Sequence, residues 1–406
     1  MRLWTRDFSL YFGARSISML GDALMPVTTA LAVGAIYGVT GVGVVLAVWT
    51  APFVALVIFG GVFSDRFGAR RMMIGADLVR LITQGTLAIA FLVGVPPLWL
   101  LVAMSALAGC AAAMFQPGVN SMVPLVARDV QRANATIKVA DSMALLVGPG
   151  VAGVLVTFAG AGLVYAIDAG TFAVSALCLL LVRVAVPAQT GGHSVLRDLG
   201  VGWREFRART WMWSVILVWI AFGLFVFGPI IPVGSVLVTA RLGGPAYGWV
   251  ESALGAGTIL GGLIAMKVRP ARPLAAGAVG TFGFALLPLV LGSKAPLIVL
   301  LAGASIAGVA WAFWSVMWAT SVQTQVAPDV LNRVTAYEVA GSVSGLAAGQ
   351  AIAGPLAAVT GGEHLLRVST IVCVAGSCVL LAVPAVRNLK RRTEPDPVPA
   401  EEALAG

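Results

Sequence analysis

Charge is what this sequence lacks most. Only 11% of its 406 residues are Asp, Glu, Lys or Arg, against 59% that are hydrophobic, and mean hydropathy is +0.96. Soluble domains carry about a quarter of their residues as charges, so a water-soluble enzyme or binding module is excluded. Histidine is nearly missing, with only His193 and His364, far apart in the chain. No zinc spacing, Ser/His/Asp set or phosphate loop stands out, so no catalytic residue, metal site or cofactor is expected. Cys110, Cys178, Cys373 and Cys378 all lie inside apolar runs, as small packing residues do, and form no disulfide framework. The short alternating strands of about ten residues that mark a transmembrane barrel are absent as well.

What is present is a series of apolar segments, each of the 20 or so residues that a helix needs to cross a hydrocarbon core of about 30 Å. Twelve are expected, at 8–33, 42–64, 72–94, 98–121, 135–158, 162–182, 211–239, 246–266, 273–291, 296–319, 334–358 and 364–386. An even number places both termini on one side. Arginines cluster on that side: Arg2 and Arg6, then Arg66, Arg70 and Arg71, five in the middle linker, and Arg387, Arg391 and Arg392 after the last span. The positive-inside rule makes that side the cytoplasm. The same rule accounts for the net charge of +9 without nucleic acid. The N-terminus does not read as a cleavable signal, since its first apolar segment is long and carries Arg15 and Asp22.

The longest polar interval divides the chain into a six-span bundle at 1–183, a cytoplasmic linker at 184–210, a second bundle at 211–388 and a charged, Pro-rich tail at 389–406 that composition marks as disordered. Leu199, Trp203 and Phe206 give the linker an amphipathic helix on the inner membrane surface. The halves echo each other. Val126-Ala127-Arg128-Asp129-Val130 returns as Val326-Ala327-Pro328-Asp329-Val330, and Gly61 meets Gly261, with Ala265 where the first copy has Asp65. Parallel six-span repeats describe transporters that bind substrate between their halves, near the bilayer midplane.

Gly61-Val62-Phe63-Ser64-Asp65-Arg66-Phe67-Gly68-Ala69-Arg70-Arg71 resembles the loop signature of the major facilitator superfamily, G-x-x-x-D-R-x-G-R-R, with the closing arginines displaced by one residue. Ser18-Met19-Leu20-Gly21-Asp22, Phe115-Gln116-Pro117-Gly118 and Asp168-Ala169-Gly170-Thr171-Phe172 are similar to stretches of its bacterial drug, macrolide and siderophore efflux branch. Gly148-Pro149-Gly150-Val151-Ala152-Gly153 resembles the element of proton-coupled exporters, with Ala152 replacing a glycine, and Gly148, Pro149 and Gly153 are expected to bend their helix. The resemblance implies an all-α membrane protein of two pseudo-symmetric six-helix bundles, and Asp65 latched onto the N-terminus of span eleven. Arg66, Arg70 and Arg71 would close that gate, or serve only to fix orientation.

Acids inside spans are costly and face a cavity or a partner. Asp22, about fourteen residues into span one, is near the midplane with no base at i±3 or i±4. It is the first candidate for a protonatable group, or else a buried bracing acid. Glu251 and Glu338 are further proton-coupling candidates. Asp77 with Arg80 and Lys138 with Asp141 are expected as local i, i+3 ion pairs, and Asp168 as a packing residue. Trp311, Trp314 and Trp318 share a helix face; by the resemblance span ten lines the cavity, while an interfacial tryptophan belt would use the same spacing. Met25, Gln116, Asn120 and Phe222 complete the expected cavity set. Pro229 and Pro232 suggest a bent gating helix in span seven.

These residues together imply a monomeric secondary transporter of the bacterial inner membrane that exports a bulky amphipathic small molecule in exchange for protons. A siderophore exporter or a lysophospholipid transporter would share the fold. A non-transporting receptor or assembly protein would need a larger cytoplasmic surface than the short linker and tail supply.

Overall fold

The computed structural model describes the backbone of residues 4–127, 130–183, 203–326 and 328–391, and side chains at most of these positions. Gly61, Asp65, Arg66 and Asn120 lie outside the described side chains, as do Leu199 and the tail from residue 392. Among the described residues every regular element is helical. In a bilayer only a helix satisfies its own backbone donors and acceptors within one segment.

Helix α1 runs Arg6–Phe67, and its apolar part spans 52 residues. That is about 78 Å at 1.5 Å per residue, too long for one crossing. The chain folds back at Gly38, whose φ of 61° belongs to the left-handed region that glycine enters without a Cβ penalty. Spans one and two are therefore the two arms of α1. The remaining helices follow in order. They are α2 (Ala69–Val93), α3 (Leu98–Val126), α4 (Val130–Ala159), α5 (Ala161–Leu181) and the linker helix α6 (203–208). After the linker come α7 (Thr210–Phe222), α8 (Gly228–Leu242), α9 (Gly244–Lys267), α10 (Pro273–Phe284), α11 (Leu286–Leu291), α12 (Leu297–Gln325), α13 (Pro328–Thr360), α14 (Gly362–Ala382) and α15 (Pro384–Arg387). A π-turn at Gly223–Phe227 joins α7 to α8, the irregularity expected in span seven, although it begins before Pro229. Nearly all the described chain is helix, in eleven segments long and apolar enough to cross a membrane, one of them the folded α1.

The duplication seen in sequence recurs in the turns. Gly38 and Gly243 both have positive φ, and so do Gly160 and Gly361. Each pair stands at the same turn of its half. Pro97 caps α3 as Pro296 caps α12, both in extended conformation, and α3 and α12 each have 29 residues. α5 and α14 match at 21 residues.

The halves meet through α1 with α13 and α8, and through α4 with α9. Named contacts lie toward the turns at Gly38, Gly160, Gly243 and Gly361, on the face away from the termini. Thr50 Oγ1 donates to Gln350 Oε1 at 2.9 Å, and the Gly150 amide donates to Ser252 Oγ at 2.9 Å. The exporter-like element sits in this seam. Gly153 faces α9 of the second half, where a Cβ would stand 3.1 Å from Gly248 Cα, whereas Gly148 packs within its own bundle, where a Cβ would stand 2.7 Å from Ala23 Cβ of α1. Pro149 lies within α4, which continues through it. In the linker, Trp203 and Phe206 stack on one another and both rings reach Tyr337 of α13. α6 thus docks on the second bundle through its aromatic side.

Candidate functional site

Arg80 of α2 is the centre of the N-terminal bundle. Its Nη1 donates to Asp22 Oδ2 of α1 at 3.2 Å, and its Nη2 to Asp77 Oδ1 at 3.2 Å. The guanidinium lies between two rings, 4.4 Å from the centroids of Phe115 and of Phe172. Forked donation from a cation held over aromatic rings suits arginine better than lysine. Ser175 Oγ donates to the other oxygen of Asp77 at 2.6 Å. Removing that donor in Ser175→Ala should cost about 1–3 kcal/mol, read as a lowered midpoint in thermal unfolding of the detergent-solubilised protein.

The expected Asp77–Arg80 pair is present, yet it is half of a larger unit. Asp22 is not a lone acid: its base comes from another helix, which is why i±3 and i±4 spacing within α1 did not find it. Its side chain keeps 40% of its surface exposed, while Arg80 and Asp77 are buried. Asp168 of α5 is fully buried beside this group. The Thr171 hydroxyl donates to its backbone oxygen at 2.7 Å and lies 3.4 Å from Oδ1. Asp168 Oδ1 and Thr171 Oγ1 occupy the space that a Cβ on Gly21 would need, so glycine before Asp22 lets α5 reach the middle of span one. Asp168 Oδ2 and Arg80 Nε, both buried, have no hydrogen-bond partner among the described residues.

Three stretches picked out separately in the sequence therefore converge on one guanidinium. Span one supplies Asp22, span four Phe115, and span six Asp168 and Phe172. Sequence reasoning missed Arg80 as their hub because an i, i+3 acid accounted for it locally. The recurrence of aromatic residues beside two in-membrane acids was the signal available.

Asp141 also departs from expectation. Its partner is Arg15 of α1, at 3.2 Å, rather than Lys138 one turn away. Lys138 is exposed, whereas the largely buried Arg15 reaches Asp141 from α1. Arg15, Ser18 and Asp22 follow i, i+3, i+7 and form one polar stripe on span one.

The C-terminal bundle contributes an aromatic wall. Trp219 of α7 stacks on Trp311 of α12 with centroids 6.2 Å apart and planes 6° apart, and lies 5.1 Å from Trp314. Phe227 and Phe284 close on Trp311 at 5.3 and 5.9 Å. Trp314 is 1% exposed and Trp311 37%. The tryptophan stripe thus turns onto span seven, and Trp314 serves in no lipid belt. Phe222 is buried against Gly376 of α14; Met25 is half-buried and Gln116 exposed. Glu338 accepts from Trp318 Nε1 at 2.9 Å, a contact within the second bundle. Glu251 is half-buried in α9, with Tyr247 one turn away facing it.

Comparison with known proteins agrees with this architecture. The profile described as Major Facilitator Superfamily matches residues 10–346. The chain is 22% identical over 396 residues to Macrolide efflux protein A of Streptococcus pyogenes, covering 93% of this chain and 96% of that protein. It is 25% identical over 364 residues to Multidrug efflux pump Tap of Mycolicibacterium fortuitum, covering 85% and 88%. Among solved structures, nucleoside transporter NupG superposes with a TM-score of 0.71 at 15% identity, covering 94% of this chain and all of that one. A POT family transporter in complex with thioalcohol conjugated peptide gives 0.72 at 12% identity, covering 94% and 96%. At these identities the two structures share the fold with this chain.

Proposed function

We propose that this chain, which belongs to the Major Facilitator Superfamily and is a multi-pass membrane transporter, exports a bulky amphipathic small molecule from the bacterial cytoplasm in exchange for protons. The observation that carries this reading is the Arg80 cluster. Asp22, Asp77 and Asp168 surround one guanidinium, so acids outnumber bases in a site of which Arg80, Asp77 and Asp168 are buried, and such an excess is a place to hold a proton. Asp22 is the member open to solvent. A proton arriving on Asp22 would release Arg80 from it, and its departure would restore the ion pair. The relatives named for macrolide and multidrug efflux support the export direction, and the aromatic wall suits an apolar, ring-bearing solute.

The halves touch on the face away from the termini. With the termini in the cytoplasm, as the arginines suggest, the seam seen among the described residues is the outer one, and alternating access exchanges it for one on the other side. Closing the inner side falls to Gly68, Arg70 and Arg71 with Asp65, and Glu251 and Glu338 remain secondary proton carriers in the second bundle. The protein acts as a monomer in the inner membrane.

Everted vesicles with a panel of macrolides and lysophospholipids provide the test. Asp22→Asn is expected to lose proton-driven accumulation by at least about tenfold while retaining downhill exchange of labelled substrate. Continued uphill transport by this variant, with unchanged pH dependence, would refute Asp22 as the coupling group. Flux of lysolipids and not of drugs would reassign the cargo.

A further inference from the structure

At the ends of α9, α10 and α12 on the side of the termini lies a cavity of about 190 Å³, lined by Ala265, Arg269, Pro273, Met317, Thr320 and Arg391 among others. It is smaller than the roughly 300 Å³ at which sites for drug-sized ligands begin, so it is unsuited to the transported solute. Its basic residues have no acid near them in sequence. Lys267, Arg269, Arg272, Arg387, Lys390 and Arg391 surround it along the chain, which has no Asp or Glu from 252 to 328 or from 364 to 393.

Orientation in the membrane requires only that such bases be present, not that they be held in place. Here the segment that follows α15 is clamped. The Arg391 amide donates to Ala271 O at 2.9 Å, Gln325 Nε2 donates to Lys390 O at 2.9 Å, and Val386 of α15 is fully buried. These contacts fix Arg391 beside the cavity, opposite Arg269. The repeat then identifies what is missing: Ala265 occupies the position of Asp65, the acid that accompanies the arginines in the first copy.

We propose that this cavity holds the phosphate of one anionic phospholipid, which supplies to the second half the negative charge that Asp65 supplies to the first. A lipid fits better than a free anion because exposed Leu260, Leu263 and Ile264 share one face of α9 in the turns before the cavity, apolar surface for an acyl chain. Basic pockets between helix ends on the cytoplasmic side are the recognised chemistry for such headgroups.

The full-length protein in phosphatidylcholine nanodiscs, with and without phosphatidylglycerol, tests the site by native mass spectrometry. One phosphatidylglycerol is expected to remain bound to the wild type. Retention should fall by about tenfold or more in R269Q/R391Q and in A265D, which places a carboxylate in the cavity. K267Q/R387Q removes two charges outside the lining and should retain the lipid. Equal retention by wild type and R269Q/R391Q overturns the proposal, and so does equal loss in K267Q/R387Q. Displacement of the lipid by inorganic phosphate would overturn the choice of a phospholipid. The R269Q/R391Q comparison decides the matter even where A265D does not fold.

Discussion

Arg80→Ala is expected to abolish uphill transport and to destabilise the N-terminal bundle by about 3–5 kcal/mol, the cost of leaving a buried charge without its partner. Two carboxylates lose their donor at once, since Arg80 bonds both Asp22 and Asp77 at 3.2 Å. The rings of Phe115 and Phe172 also lose the cation between them. Arg80→Lys separates charge from geometry. An ammonium restores the charge but cannot fork to both acids or stack flat between two rings. Stability should recover in large part, and proton-driven transport much less. Thermal unfolding gives the first quantity and substrate-induced proton release from reconstituted vesicles the second. Full transport by Arg80→Lys would show that the cluster needs only a positive charge and would remove the fork from the mechanism.

Gly153→Leu should cut transport to background while leaving both bundles folded. The seam at this point is backbone against backbone, with Gly244 O 3.3 Å and Gly248 Cα 3.1 Å from the site of a Cβ. A single methyl already forces the helices apart by a few tenths of an ångström, and a leucine keeps the seam open. Each half keeps its own core, so the loss is one of motion. In a cysteine-free background, Ser252→Cys reports the seam: the new thiol, protected in the parent, should react with an impermeant thiol reagent once Gly153→Leu is added. Gly153→Ala should lie between. Normal transport with an unreactive thiol at position 252 would mean that α4 and α9 need not approach this closely in the cycle.

The fold was legible from the sequence because membrane insertion imposes a coarse code. Length, apolarity and the bias of arginine to one side set the spans, and the duplicated stretch around Val126 and Val326 set the two halves. The site was legible only in pieces. Asp22, Phe115 and Asp168 belonged to recognisable stretches, but nothing along the chain says that spans one, three, four and six present them to the same point. Helical spacing reports neighbours on one helix, so it found Asp77 for Arg80 and offered Lys138 to Asp141, whose close partner is Arg15. Cross-helix partners depend on rotation and depth, which are fixed by close approaches such as Gly21 against Asp168 and Thr171. The tryptophan stripe of α12 was equally ambiguous until Trp219 was seen against it.

The Arg80 cluster belongs entirely to the first half and the aromatic wall entirely to the second. On the proposed reading, the principal proton site lies in one half and cargo is gripped by the other, with a glycine-lined joint between them. Such a machine can change its cargo without retuning its engine: drift in Trp219, Phe284 or Trp311 alters what is carried, while Asp22, Arg80 and Asp168 stay untouched. Exporters with different substrates can then arise by exchanging second halves across the linker, provided the seam of small residues is kept.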